Sequence, residues 1–206
     1  MKLLVIGVPR SGTTSLIKAV SDKYVSEPFY NRFEHSNDAI SMIEDLLEKD
    51  NNIKLTVEQY PLDCTSDIKR ARFWKRLVSL FDKTLLIDRF DFNDHLIAYA
   101  RLKYCNENGI EIMVPYEDKD YTTSPEVHTE ELKGLKEILV KLSRSVNVPI
   151  TSYEALFYGD TKNEFSEMGL EFTSKAKAEL NPTWILSSKC LSFCGKKLGV
   201  SGKILC

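Results

Sequence analysis

VIGVPRSGTTSL, residues 5–16, decides the fold. Apolar residues Leu3, Leu4, Val5 and Ile6 lead into a Gly-Ser-Thr turn, after which Leu16, Ile17 and Val20 recur at helical spacing. A strand that passes through such a turn into a helix is laid out as a phosphate-binding loop. Gly7 and Gly12 keep the spacing of the G-x-x-x-x-G-K-[ST] pattern, but the lysine is missing, because position 13 is Thr13. The backbone argument survives that loss: successive N–H groups at the turn and the helix N-terminus form a concave anion site. Thr13 and Thr14 add hydroxyls, and Arg10 adds a planar, permanently charged fork for phosphate or sulfate oxygens. The chemistry implied is anion binding without the lysine-and-magnesium handling of a triphosphate.

Outward from the loop, short apolar or β-branched runs alternate with longer helical periods. The pattern predicts strands at 2–7, 24–26, 53–59, 83–88 and 148–153. It predicts helices from near Gly12, over 37–49 with Asn37 as N-cap, and over 66–82, 92–105 and 130–145. The polar, aromatic stretch 111–129, with two prolines, predicts a long surface loop of the lid type. The expected fold is α/β: a three-layer, P-loop-like arrangement with a central parallel sheet of about five strands flanked by helices. One domain is expected over 1–206, with its core in 1–156 and a helical or irregular region in 157–206.

Composition narrows the function classes. A formal net charge of −2 argues against a general nucleic-acid binder. No run of about 18 apolar residues exists to span a membrane. The apolar run after Lys2 is cut short by Gly7 and Arg10, which does not read as a signal peptide. Cys64, Cys105, Cys190, Cys194 and Cys206 are odd in number and widely spaced, so, with no export signal read, reduced thiols in a cytoplasm are expected. With no membrane anchor read, that cytoplasm is expected to be bacterial or viral. Cys190 and Cys194 have no clear second pair, and no metal is expected.

PRSGTT, residues 9–14, resembles the 5′-phosphosulfate loop of sulfotransferases, particularly the carbohydrate, tyrosyl-protein and bacterial branches. The resemblance implies 3′-phosphoadenosine 5′-phosphosulfate (PAPS) as sulfuryl donor, its 5′-phosphosulfate held by Arg10, Ser11, Gly12, Thr13 and Thr14, with Arg10 also catalytic. Ser26-Glu27-Pro28-Phe29 resembles the Glu-Pro sequence of those branches, implying Glu27 as catalytic base. Val57-Glu58-Gln59-Tyr60-Pro61 is similar to a Glu-Lys-x-Pro element with Gln59 in place of the lysine, and leaves Glu58 as a second base candidate. Leu85-Leu86-Ile87-Asp88-Arg89 implies that Arg89 binds the 3′-phosphate. The serine expected further on is absent, Ile97 and Ala98 standing in its region with Asn93 and Asp94 as the nearest polar groups. Tyr153-Glu154-Ala155-Leu156 resembles a family element that packs and caps, and Gly195-Lys196-Lys197-Leu198-Gly199 reads as a solvated basic turn or a nucleotide contact.

His35, His95 and His128 belong to no catalytic-histidine motif. The basic run Lys69, Arg70, Arg72, Lys75 and Arg76 reads as a solvated helix face, or as a contact for an anionic acceptor. Two other functions stay open. Asp88-Arg89-Phe90 with Ala98-Tyr99 is similar to a segment of thymidylate-type kinases, so a small nucleoside or nucleotide kinase is one, although the missing lysine weighs against it. A catalytically inactive nucleotide-binding module is the other. The acceptor, whether sugar, peptide, lipid or small molecule, carries no motif, and neither does the oligomeric state.

Overall fold

The computed structural model describes residues 1–29, 33–49, 51–109, 124–158, 167, 169 and 170. Five strands form one all-parallel sheet: β1 (Leu3–Gly7), β2 (Tyr24–Ser26), β3 (Asn52–Thr56), β4 (Lys83–Asp88) and β5 (Ile150–Ser152). Their order is β2-β3-β1-β4-β5. The helices are α1 (Thr13–Val20), α2 (Ser36–Glu48), α3 (Asp67–Val78), α4 (Phe92–Asn108), α5 (Thr129–Val146) and α6 (Tyr153–Tyr158).

β1 is apolar throughout because helices cover both of its faces. Leu4 and Ile6 join Ile53, Leu55 and Leu86 beneath α2, α3, α4 and α5. Leu3 and Val5 face the other way with Leu85 and Ile87, onto Leu16 and Ile17 of α1 and Leu156 of α6. The result is three layers. Each fully buried side chain of this kind contributes about 1.5–3 kcal/mol. β1 is followed by a helix on one face, whereas the helices after β3 and β4 lie on the other. Connections that diverge in this way open a crevice at the C-terminal strand ends, beside β1.

Several boundaries differ from the sequence expectation. α2 begins at Ser36 with His35 in the cap position, so Asn37 is not the N-cap. Asp63 supplies the missing acceptor from outside the helix, taking both the N–H and the Oγ of Ser36 at 3.0 Å. β3 stops at Thr56 because the chain turns there: Gln59 Oε1 accepts the Thr56 N–H at 2.9 Å, and the Gln59 N–H donates to Thr56 O at 3.0 Å. The end of the expected 111–129 loop is helical, with a 3₁₀ turn at Pro125–His128 running into α5. Residues 110–123 of that loop, the Gly195–Gly199 turn, Cys190, Cys194 and Cys206 lie outside the described residues. Cys64 and Cys105 are buried and form no disulfide among the described residues. No helix among the described residues is long and apolar enough to cross a membrane.

Candidate functional site

The loop lies directly on the sheet. A Cβ at Gly7 would stand 2.5 Å from Ser11 Oγ and 2.6 Å from both Ile87 O and Thr13 Cγ2. Only glycine lets the chain double back so closely. Gly7 O accepts the N–H of Val57 at 3.0 Å, which ties the loop's root to the chain leaving β3. Ser11 Oγ donates to Ile87 O of β4 at 3.2 Å, and the Ser11 N–H donates to Val8 O at 3.1 Å. Both donors of Ser11 are thereby used inside the protein. It braces the loop from below.

Thr13, at the pattern's lysine position, is buried and packs over Gly7. No cation rises from that position. Gly12 caps α1 at φ 86°, in the left-handed region. The first N–H groups of a helix have no partner within it. Among the described residues no acceptor meets the N–H of Gly12, Thr13 or Thr14. Arg10, exposed at the rim, is also left-handed, at φ 69°. That conformation costs a non-glycine residue roughly 1–2 kcal/mol. Strain of this sort collects at functional sites.

Glu27 shares the feature. It follows β2 at φ 54°, so two of the three described non-glycine residues with left-handed backbone are Arg10 and Glu27. Its N–H donates to Lys54 O at 2.8 Å, and its Oε1 is ion-paired with Lys54 Nζ. Lys54 sits opposite Val5 on the α1 face of β3, with only 5 % of its side chain exposed. A buried ammonium needs a partner, and Glu27 is that partner. Glu58 stands at the mouth of the crevice, exposed over much of its surface yet crowded by neighbours. Desolvation raises its carboxyl above the ordinary range, Glu27 and Glu131 push the same way, and Lys103 and Lys54 oppose them. Glu131 is held by Lys103 at 2.5 Å, and the Tyr99 phenol beneath is raised by burial and by its hydrogen bond to Glu131.

Arg89 follows the C-terminal end of β4, where it was expected. Its guanidinium stacks on the Tyr153 ring at 4.3 Å, and its Nη1 reaches Asp94 O at 3.5 Å. Its Nε is buried with no acceptor among the described residues. Asp88 accepts the Arg89 N–H at 2.9 Å and Lys136 Nζ at 2.7 Å, and Lys136 also donates to Arg89 O at 2.6 Å. Glu154 braces the same turn, accepting the N–H groups of Phe90 (3.0 Å) and Asp91 (3.1 Å) and the Ser152 hydroxyl (2.7 Å). Burial opposes its charge, but these bonds together outweigh burial and hold the carboxyl below its ordinary range.

His95 has no exposed surface, and its Nε2 donates to Pro9 O at 2.8 Å. Its Nδ1 lies 3.4 Å from Asp88 Oδ1, which links the loop to the end of β4. Motif reading missed Lys54, Lys136 and His95. The one sequence signal was a lysine inside the apolar run IKLTV. His35 and His128 stand at helix caps away from the loop, His128 pairing with Glu131 at 3.6 Å. Asn93 is exposed, and the N–H of Asp94 is used by the Asp91 cap at 3.0 Å. Among the described residues no three or more His, Cys, Asp or Glu side chains group as metal ligands. No protein-family model matches the chain, and no curated protein was found to be similar to it.

Proposed function

We propose that this protein is a sulfotransferase, moving a sulfuryl group from PAPS to an acceptor hydroxyl or amine. The observation that carries the reading is the loop: open amides of Gly12, Thr13 and Thr14 under an exposed Arg10, with a packed threonine where a kinase needs lysine. A tetrahedral dianion suits those donors. The buried Nε of Arg89, without an acceptor among the described residues, supports a second anion contact at the end of β4, as the 3′-phosphate would need. Bound there, the donor would supply the sulfuryl group and a phosphate leaving group.

The chain's own residues then divide the task. Arg10 and the loop amides stabilise charge on the departing phosphate oxygens. Ser11 keeps those amides in place through Ile87 and Val8. Glu27, oriented through Oε1 by Lys54, takes the acceptor's proton as the new oxygen–sulfur or nitrogen–sulfur bond forms and the sulfur–oxygen bond to phosphate breaks. Thermal stabilisation by 3′-phosphoadenosine 5′-phosphate, compared with ATP plus magnesium, tests the reading. A ligand at 100 times its Kd stabilises by about 2.7 kcal/mol, roughly 5–10 °C for a chain of this size. Preference for the bisphosphate is expected, and Arg10→Ala should weaken it about tenfold or more, the loss of one charged hydrogen-bonding group. Preference for ATP with magnesium would turn the assignment to phosphoryl transfer, and no response to either would sink both.

A further inference from the structure

A cavity of about 260 Å³ lies between α2 and α3. Buried Ile40 and Phe73 line it, together with Asp63 and three exposed cations of α3, Lys69, Arg72 and Arg76. Spacings of three and four residues place the cations on one helix face. Among the described residues no carboxylate ion-pairs with any of the three, and Arg76 bonds to the neutral Asn37 Oδ1 at 2.6 Å. The opposite side of α3 is different: Asp67 pairs with Arg70 at 2.6 Å and with Lys141 of α5 at 2.9 Å. The groove's carboxylate, Asp63, is already engaged by Ser36 and by Cys64 Sγ at 3.6 Å. Like charges at this spacing repel by a few tenths of a kcal/mol per pair, a penalty that a bound anion removes.

Three cations against one carboxylate leave two net positive charges, the complement of a dianion. The guanidinium forks of Arg72 and Arg76 match tetrahedral oxyanions. The volume leaves room for one sugar-sized group. One wall of the groove is in contact with the segment that carries Glu27. Asp63 follows β3, and Phe73 meets Phe29 at 6.1 Å between ring centres, two residues beyond Glu27. We infer that this groove binds a phosphate or sulfate ester on a sugar-sized molecule, and that it anchors the acceptor. The acceptor role rests on the sulfuryl-transfer reading, whereas the anion site does not.

Calorimetric titration of the full chain with glucose 6-phosphate, and with glucose as the neutral control, tests the site. Binding of the phosphate ester alone is expected. The Lys69→Gln/Arg72→Gln double variant should lose about tenfold or more in affinity. Its thermal midpoint should hold, because both side chains are exposed and have no ion-pair partner among the described residues. Arg10→Ala should leave this affinity intact. The site is overturned if glucose 6-phosphate fails to bind, if Arg10→Ala rather than the groove variant abolishes binding, or if only an oligonucleotide binds the groove. Groove binding in a protein that prefers ATP with magnesium would sink the acceptor role and leave the anion site standing. Preference for the bisphosphate with an inert groove would sink the anion site and the acceptor role together, and leave the sulfuryl-transfer reading standing.

Discussion

Gly7→Ala would place a methyl group where the loop meets the sheet. The added carbon would lie 2.5 Å from Ser11 Oγ and 2.6 Å from Ile87 O and Thr13 Cγ2. Gly7 has no left-handed φ, so alanine suffers no backbone penalty and the effect is steric. Ser11 can rotate away, but Ile87 O belongs to the strand residue paired with Gly7 and cannot retreat without shifting β4. Overpacking of this kind costs about 1–3 kcal/mol, and displacing Ser11 from Ile87 forfeits a buried hydrogen bond of about 1 kcal/mol. The sum, roughly 2–4 kcal/mol, lowers the thermal midpoint by roughly 5–15 °C for a chain of this size. Calorimetry reads that fall, and titration with 3′-phosphoadenosine 5′-phosphate should show weakened binding as the amides shift. Adding Ser11→Ala removes one of the three close contacts and should recover only part of the loss. A midpoint within about 2 °C of the parent, less than about 1 kcal/mol, would refute the reasoning, as would full recovery in the double variant.

Other substitutions separate the roles of neighbouring charges. Glu27→Gln should destabilise the fold more than Lys54→Met, because it strands an ammonium 5 % exposed, while the carboxylate left by Lys54→Met is 31 % exposed. The upper bound for either is about 3–5 kcal/mol, and the double variant should regain most of it in denaturant unfolding. Glu58 has a raised folded-state value, so its contribution is present below the ordinary glutamate range and is lost as pH rises through the folded value. Glu58→Gln should therefore raise the midpoint near neutral pH, with the gain vanishing under acid. Glu154 runs oppositely, its contribution present above the ordinary value and lost as pH falls through the depressed one. Glu154→Gln should cost about 1–3 kcal/mol near neutral pH by weakening the bonds from Phe90 and Asp91, and less in acid.

Much of the architecture was written locally. KTLLID, 83–88, is the whole of β4, and the alternation of apolar runs with amphipathic periods announced a parallel sheet covered on both faces. The strand order was not legible, because no residue encodes the side to which a crossover turns. Long-range substitutions for local rules were equally hidden. Asn37 reads as a cap, yet the acceptor comes from Asp63, 27 residues beyond the Ser36 that it caps. Gln59, which read as a lost cation of the site, turns back to close the end of β3. Of the loop residues, Arg10 and Thr14 are exposed as a ligand-facing role requires, while the hydroxyl of Ser11 serves the fold. Lys54 stands out as a lysine inside an apolar strand, but nothing in the sequence pairs it with Glu27 until β2 is laid beside β3.

The fastening of the loop has a kinetic consequence. Its root, its proline carbonyl and its serine are bonded to Val57, His95 and Ile87, which belong to three separate parts of the chain. Breathing of the loop alone would break all of these bonds at once, so its Ser11 amide proton should exchange with solvent only when the sheet itself opens. A loop preformed in this way loses little freedom on capturing an anion. Association should be set by diffusion and by the field around Arg10, not by a closing motion, and differences in affinity among ligands should appear as differences in how slowly they leave.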